Sequence, residues 1–204
     1  MAAAGLSEAR REWRRWWRLP LVLAGLVVLY YALGMAWLHH LDDDPAFGTD
    51  LVVAEGGSRA VAIAAALVDR EVNRHRWLAN DPPFMPSHLL DNTPNFQKGI
   101  VAAVSRFTTE LADQLARVRG SSQVDPDVAN ASGRLRYPPD VWILEWSASP
   151  VQTSSDSAYR RAIEALAAYN ARLARGQAVF ERRAGNLIAT LDRIAADLGS
   201  SSAP

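Results

Sequence analysis

The sequence predicts an all-α protein: a single N-terminal transmembrane helix followed by a helical-bundle domain. Three observations predict it. Leu19 to Leu38 is a run of twenty residues without a charge, matching the ~20 residues that a helix needs to cross a hydrocarbon core of ~30 Å. Beyond it, apolar residues recur in steps of three and four, the period of an α-helix. Proline, glycine and serine clusters separate these periodic stretches and mark where each helix stops.

The flanks of the apolar run orient it. Arg10, Arg11, Arg14, Arg15 and Arg18 precede it, interleaved with Trp13, Trp16 and Trp17; His39, His40, Asp42, Asp43 and Asp44 follow. Basic residues stay on the cytoplasmic side and tryptophans favour the headgroup layer, so residues 1–18 read as a cytoplasmic basic segment and everything after Leu41 as lying outside. A cleavable signal peptide has a shorter apolar core, of ~7–15 residues, and a small-residue cleavage site. Ala32, Gly34 and Ala36 stand instead among Tyr30, Tyr31, Met35 and Trp37. The reading is an uncleaved anchor over residues 19–41, with Pro20 in the first turn of the span, where a missing N–H costs little. The five arginines also suit anionic lipid headgroups.

Residues 42–57 read as an acidic, glycine-containing juxtamembrane linker, and 58–198 as the helical domain. Ser58 caps a helix carrying Val61, Ala64, Leu67, Val68, Val72 and Leu78, predicted to run to about Leu78. Asn80 to Pro94 holds Pro82, Pro83, Pro86 and Pro94 and cannot be one regular element. Thr93 caps and Pro94 opens a second helix, with Phe96, Ile100, Val104, Phe107, Leu111, Leu115 and Val118 on one face and Gly120 as its stop. A short helical turn follows Pro126. Leu135–Tyr137 and Val141–Trp146 flank Pro138-Pro139-Asp140 as the arms of a small β-hairpin would. Ser154, Ser155 and Asp156 cap the last helix, whose stripe runs from Tyr159 through Ile163, Leu166, Tyr169, Leu173, Gly176 and Phe180 to Leu198. Gly176 and Gly185 each weaken it by ~1 kcal/mol relative to alanine and invite a bend or break. Its stripe suits the core of an antiparallel bundle better than self-association as a coiled coil. Residues 199–204 read as a flexible tail.

The segments Leu78-Ala79-Asn80-Asp81-Pro82-Pro83, Leu90 to Gly99, Ser121 to Ala129, Trp142 and Ser157-Ala158-Tyr159-Arg160 are distinctive in content and order. Over about Val61 to Leu198 the chain resembles domain of unknown function 2333, a bacterial family. The resemblance implies one N-terminal membrane anchor and a helical envelope domain, hence an inner-membrane protein with a periplasmic body in a Gram-negative cell. It implies no activity.

Composition narrows the chemistry. The 204 residues hold 22 basic and 22 acidic side chains and no cysteine. Balanced charge argues against nucleic acid as a partner, and the lack of cysteine excludes disulfides, thiolate metal sites and a cysteine nucleophile. That balance is a cancellation: residues 1–18 set five arginines against Glu8 and Glu12, while the remainder is mildly acidic. His39 and His40, adjacent in sequence, point about 100° apart on a helix and do not share an ion. His75 and His88 have no ligand spacing. No GxSxG, HExxH or phosphate-cradling glycine loop is present. No catalytic, cofactor or metal residue is therefore assigned.

The leading expectation is a structural or protein-interaction role in the envelope, the partners being membrane lipid and another envelope protein. The proline loop is the candidate interaction surface, through Asn80, Asp81, Phe84, Leu90, Asp91, Asn92, Pro94 and Phe96, because irregular backbone rich in apolar residues often binds. The rivals are an envelope hydrolase using Asp81 or Asp91, and a small-ligand carrier with Trp77, Trp142 and Trp146 around a pocket.

Overall fold

The computed structural model describes residues 2–118, 124–143 and 152–180, with 192, 195 and 196, and gives residues 2–17 as backbone. The fold is all-helical, and no strand occurs among the described residues. Helix α1 is one continuous element, Ala2–Leu38. It carries the apolar stretch Arg18–Leu38, long enough to cross a membrane and without a buried residue. Because α1 starts at Ala2, Pro20 lies inside it rather than in a first turn. The Trp16 carbonyl thereby loses its usual N–H partner.

Helix α2, Arg59–Asp69, is capped as its sequence predicts: Ser58 Oγ accepts from the Val61 N–H, and Val61, Ala64 and Val68 are buried. It does not reach Leu78. The chain widens into a π-helical turn over Arg70–Arg74, closed by the His75 N–H donating to the Arg70 carbonyl. Arg76 then adopts a left-handed φ of 63°, which no helix continues. The buried Gln97 completes the stop from helix α3, Asn92–Val118. Its Oε1 accepts from the Leu78 N–H at 2.9 Å, and its Nε2 donates to the Arg76 and Glu71 carbonyls at 2.8 and 3.2 Å.

Helix α3 begins two residues earlier than its proline suggests. The Asn95 N–H donates to the Asp91 carbonyl, so Asp91 flanks the helix and Thr93, buried, is already within its first turn. The inward stripe is also rotated. Gln97, Val101, Val104, Thr108, Leu111 and Leu115 are buried, whereas Phe96, Ile100 and Phe107 are half-buried. Gln97 and Thr108 can occupy that face because both find backbone partners, Thr108 Oγ1 donating back along its own helix to Val104 and Ser105 carbonyls. The predicted stop at Gly120 lies outside the described residues.

Helix α4 is a full element, Pro126–Leu135, rather than one turn, with the Asp125 side chain accepting from the Asp127 N–H. No ladder of the possible small hairpin forms among the described residues, since Leu135, the start of its first arm, is the last buried residue of α4. Val141 and Ile143 instead receive single backbone bonds from Ser155 and Gln152; residues 144–146 lie outside the described set. Helix α5, Ser155–Ala174, buries Ala158, Tyr159, Ala162, Ala165, Leu166, Tyr169 and Leu173. Ser154 flanks it, its hydroxyl directed to Ser157 Oγ rather than to a backbone N–H.

Packing closes these helices into a ring: α2 meets α3 and α5, and α4 meets α3 and α5. Arg172 ties the end of α5 to the start of α4, reaching Asp125 at 2.5 Å and Asp127 at 2.6 Å. The pairing holds its guanidinium above even the ordinary arginine range, the Asp125 hydrogen bond contributing most. Burial, aided by Asp140, likewise holds the Tyr159 phenol well above its ordinary value.

The long C-terminal stripe does not stay in one helix. Gly176 sits at φ 69°, with the Gly176 N–H on the Leu173 carbonyl and the Gln177 N–H on the Arg172 carbonyl, the pair of bonds that ends a helix in a Schellman motif. Tyr169 then holds the Val179 carbonyl at 2.7 Å. Nothing lies within 4 Å of a Cβ built at Gly176, so its substitution tests backbone conformation alone. Gly176→Ala is expected to lower stability by about 1 kcal/mol, through left-handed strain. In an unbroken helix the same change would raise stability by about that amount. Urea denaturation of the full chain in detergent, followed by circular dichroism, reads the sign.

Candidate functional site

Among the described residues, the proline loop is the part of the body that packs on α1. The segment from Asn80 to Pro94 folds into turns and a short 3-10 helix, Pro86–Leu89, and this helix packs on α1. The Tyr31 hydroxyl donates to the Pro83 carbonyl at 2.7 Å, and the Tyr30 hydroxyl to the Phe84 carbonyl at 3.4 Å. A Cβ at Gly34 would overlap Pro86, standing 2.6 Å from its Cβ and closer still to Cγ. Glycine is what allows the ring to lie on the helix backbone there.

The base of the loop is held from the body. Arg76 Nη2 reaches both oxygens of Asp81, at 2.6 and 2.7 Å, and the Ser87 hydroxyl donates to Asp81 Oδ2. Asn80 is buried and donates to the Val141 carbonyl at 2.9 Å, with Asp156 Oδ1 at 3.5 Å. Asp81 and Asp91 do meet: with Ser87, His88, Asn95 and Lys98 they line a polar cavity of about 220 Å³. Asp81 is the counter-ion of Arg76, and both of its oxygens are engaged, by the guanidinium and by the Ser87 hydroxyl.

The other candidates separate. Phe84 is exposed and its ring meets Trp142 edge-on at 5.9 Å. Leu90 is half-buried, Pro94 buried, Asp91 and Asn92 exposed, and half-buried Phe96 faces inward to Arg70. Trp77 and Trp142 lie in different surroundings. Trp77 is core, its indole N–H donating to the Pro139 carbonyl at 2.9 Å and its ring set against Tyr159; Trp142 lies at the loop, and Trp146 falls outside the described residues. Arg10 to Arg15 are described as backbone only, and Arg18 is exposed.

A second junction, between the segment that follows α1 and the body, was not anticipated. Arg70, buried, pairs with Glu71 at 2.7 Å and with Asp42 at 3.4 Å, and its guanidinium lies over the Phe47 ring. The His40 ring stacks edge-on against His75, whose Nδ1 stands 3.5 Å from Glu71 Oε2. Residues 42–57 therefore lie along the body, also held by Arg59 on the Gly48 and Thr49 carbonyls. No local pattern announces that junction. For the loop contact a signal did exist: two tyrosines beside a glycine inside an apolar span, where hydroxyls need partners. Among the described residues no group of three or more histidines and carboxylates is placed to hold a metal ion.

Residues 10–203 match the model of a family described as an uncharacterized protein conserved in bacteria, domain of unknown function 2333. No curated protein matches the chain, and no solved structure does.

Filling Gly34 tests the contact with α1. Gly34→Leu is expected to push Pro86 away, at about 1–3 kcal/mol for overpacking. In hydrogen–deuterium exchange of the full chain, the amides from Phe84 to Leu90 should exchange faster while those of α5 stay unchanged. At the loop's other end, burial raises the Asp156 carboxyl, but bonds and charge from Ser154, Arg160 and Asn80 outweigh it, and its pKa falls below 3.8. A depressed carboxylate stabilises the fold above its unfolded value, and that contribution vanishes as pH falls through the folded value. Asp156→Asn should therefore destabilise at neutral pH, and by progressively less as pH falls below 3.8, read as urea midpoints along a descending pH series.

Proposed function

The chain belongs to this bacterial family, and we propose that it is a single-pass protein of the inner membrane with a structural or protein-interaction role in the cell envelope. In this reading α1 crosses the bilayer with residues 1–18 in the cytoplasm and the helical body on the periplasmic side. The observation that carries it is the exposed apolar stretch Arg18–Leu38, which opens on Arg18 after Arg10, Arg11, Arg14 and Arg15 and is followed by Asp42 to Asp44, the charge asymmetry of an N-in span. Retention of the anchor is supported by its use in the fold: a cut near the end of the span would remove the tyrosines that bind the Pro83 and Phe84 carbonyls.

An interaction role is favoured over hydrolysis because Asp81 serves Arg76 and Ser87, which suits holding a loop in shape more than proton transfer. The protein partner meets the exposed shoulder of the loop at Asp91 and Asn92. The α5 stripe is committed to the core as far as Leu173, so self-association is not assigned to it.

An alkaline phosphatase fused after Pro204 should be active, and a green fluorescent protein there dark; the reverse pattern would overturn the orientation. A photocrosslinking residue at Asn92 of the full-length protein, activated in native membranes, should give a reproducible protein adduct. Its absence, with the protein present at normal level, would remove the assigned partner surface.

A further inference from the structure

The geometry points to a second membrane contact: the apolar tip of the proline loop, with Phe84 and Leu89 at its surface, is seated in the outer leaflet of the bilayer beside α1. This rests on the reading that α1 spans the membrane, and it follows from where along α1 the loop is bound. Tyr31 and Gly34 precede the helix end at Leu38 by seven and four residues, about 10 and 6 Å at about 1.5 Å per residue. A span that ends near Leu38 therefore carries Pro83, Phe84 and Pro86 below the hydrocarbon boundary.

The span has no slack to avoid this. It is 21 residues long, close to the ~20 that the bilayer requires. Sliding α1 outward until Tyr31 reached the boundary would leave residues 18–30 inside, about 20 Å of helix against a core of about 30 Å. Completing the core from the other end would draw Arg14 and Arg15 into it.

The loop is chemically suited to the place. Irregular backbone is tolerated at membrane depth only where its polar groups are satisfied. Pro82, Pro83 and Pro86 have no N–H to satisfy. The Pro83 and Phe84 carbonyls accept from the two tyrosines of α1. Within the loop, the Met85 N–H donates to Pro82, His88 to Met85 and Leu90 to Ser87. Three apolar side chains face outward, Phe84 at 58% exposed, Leu89 at 59% and Ile143 at 47%; His88, exposed beside Leu89, keeps its Nδ1 3.2 Å from the Asp81 carbonyl, and Val27, Tyr30 and Leu33 are exposed on α1. Trp142, stacked on Phe84, sits where an indole prefers to be, at the headgroup layer. The nearest charged pair, Arg76 with Asp81, is at the loop's base.

The lack of native cysteine makes the test direct. Single-cysteine variants Phe84→Cys, Leu89→Cys, Leu26→Cys and Val52→Cys of the full-length chain are placed in nanodiscs of phosphatidylethanolamine and phosphatidylglycerol. Each is labelled with a water-soluble maleimide, or carries bimane in discs containing acyl-chain nitroxide lipid. Positions 84, 89 and 26 should label several-fold more slowly than position 52, and their bimane should be quenched by the lipid. Labelling of 84 and 89 as fast as 52, with 26 protected, would overturn the seated loop and leave the anchor standing. Fast labelling at 26 as well would overturn the spanning reading on which it rests.

Discussion

The contact between the proline loop and α1 depends on the buried amide of Gln97. Where α2 ends, a π-helical turn and a left-handed Arg76 leave backbone groups unpaired in the interior. Gln97 satisfies three of them, the Leu78 N–H and the Glu71 and Arg76 carbonyls. An unpaired group of this kind costs about 1–3 kcal/mol, so the chain can leave α2 at that point only because α3 presents this side chain. The direction of departure then sends the prolines toward α1.

The contact they make is selective by shape. Pro86 lies on α1 because residue 34 has no side chain, and the loop carbonyls are met by the only hydroxyls nearby on that helix. At the far side of the same junction, Arg70 is held between Glu71, Asp42 and two aromatic rings. A buried cation is tolerated only with such partners. Two separate fastenings, one on α1 and one on the segment that follows it, thus make the apolar helix part of the tertiary structure.

Much of this architecture was legible because it is local. The Ser58 cap, the core face of α2, the proline loop's irregularity and the break near Gly176 each follow from a few adjacent residues. Three features were not legible. Helix α2 and the π-helical turn that follows it end at Arg74, short of Leu78, because a residue nineteen places downstream of Leu78 supplies the stop. The α3 stripe centres on Gln97 and Thr108 instead of Phe96 and Phe107, since hydrogen bonds make buried polar groups acceptable there. Leu135, read as a hairpin arm, was taken by α4, whose Asp125 cap and Arg172 pairing outweigh a short strand pattern. Of the loop's site residues, Phe84, Asp91 and Asn92 are on the surface, while Asn80, Asp81 and Pro94 hold it together.

By itself the sequence determined a helical protein with one apolar helix long enough to span a bilayer, because continuous hydrophobicity, flanking charge and a 3.6-residue period are properties of neighbouring residues. Only the tertiary structure decided which carboxylates are free, where α2 ends and that the proline loop lies against the span. Those outcomes depend on side chains such as Gln97, Tyr31 and Arg76 meeting backbone or charge far away in the chain. No local pattern encodes the distance at which they meet.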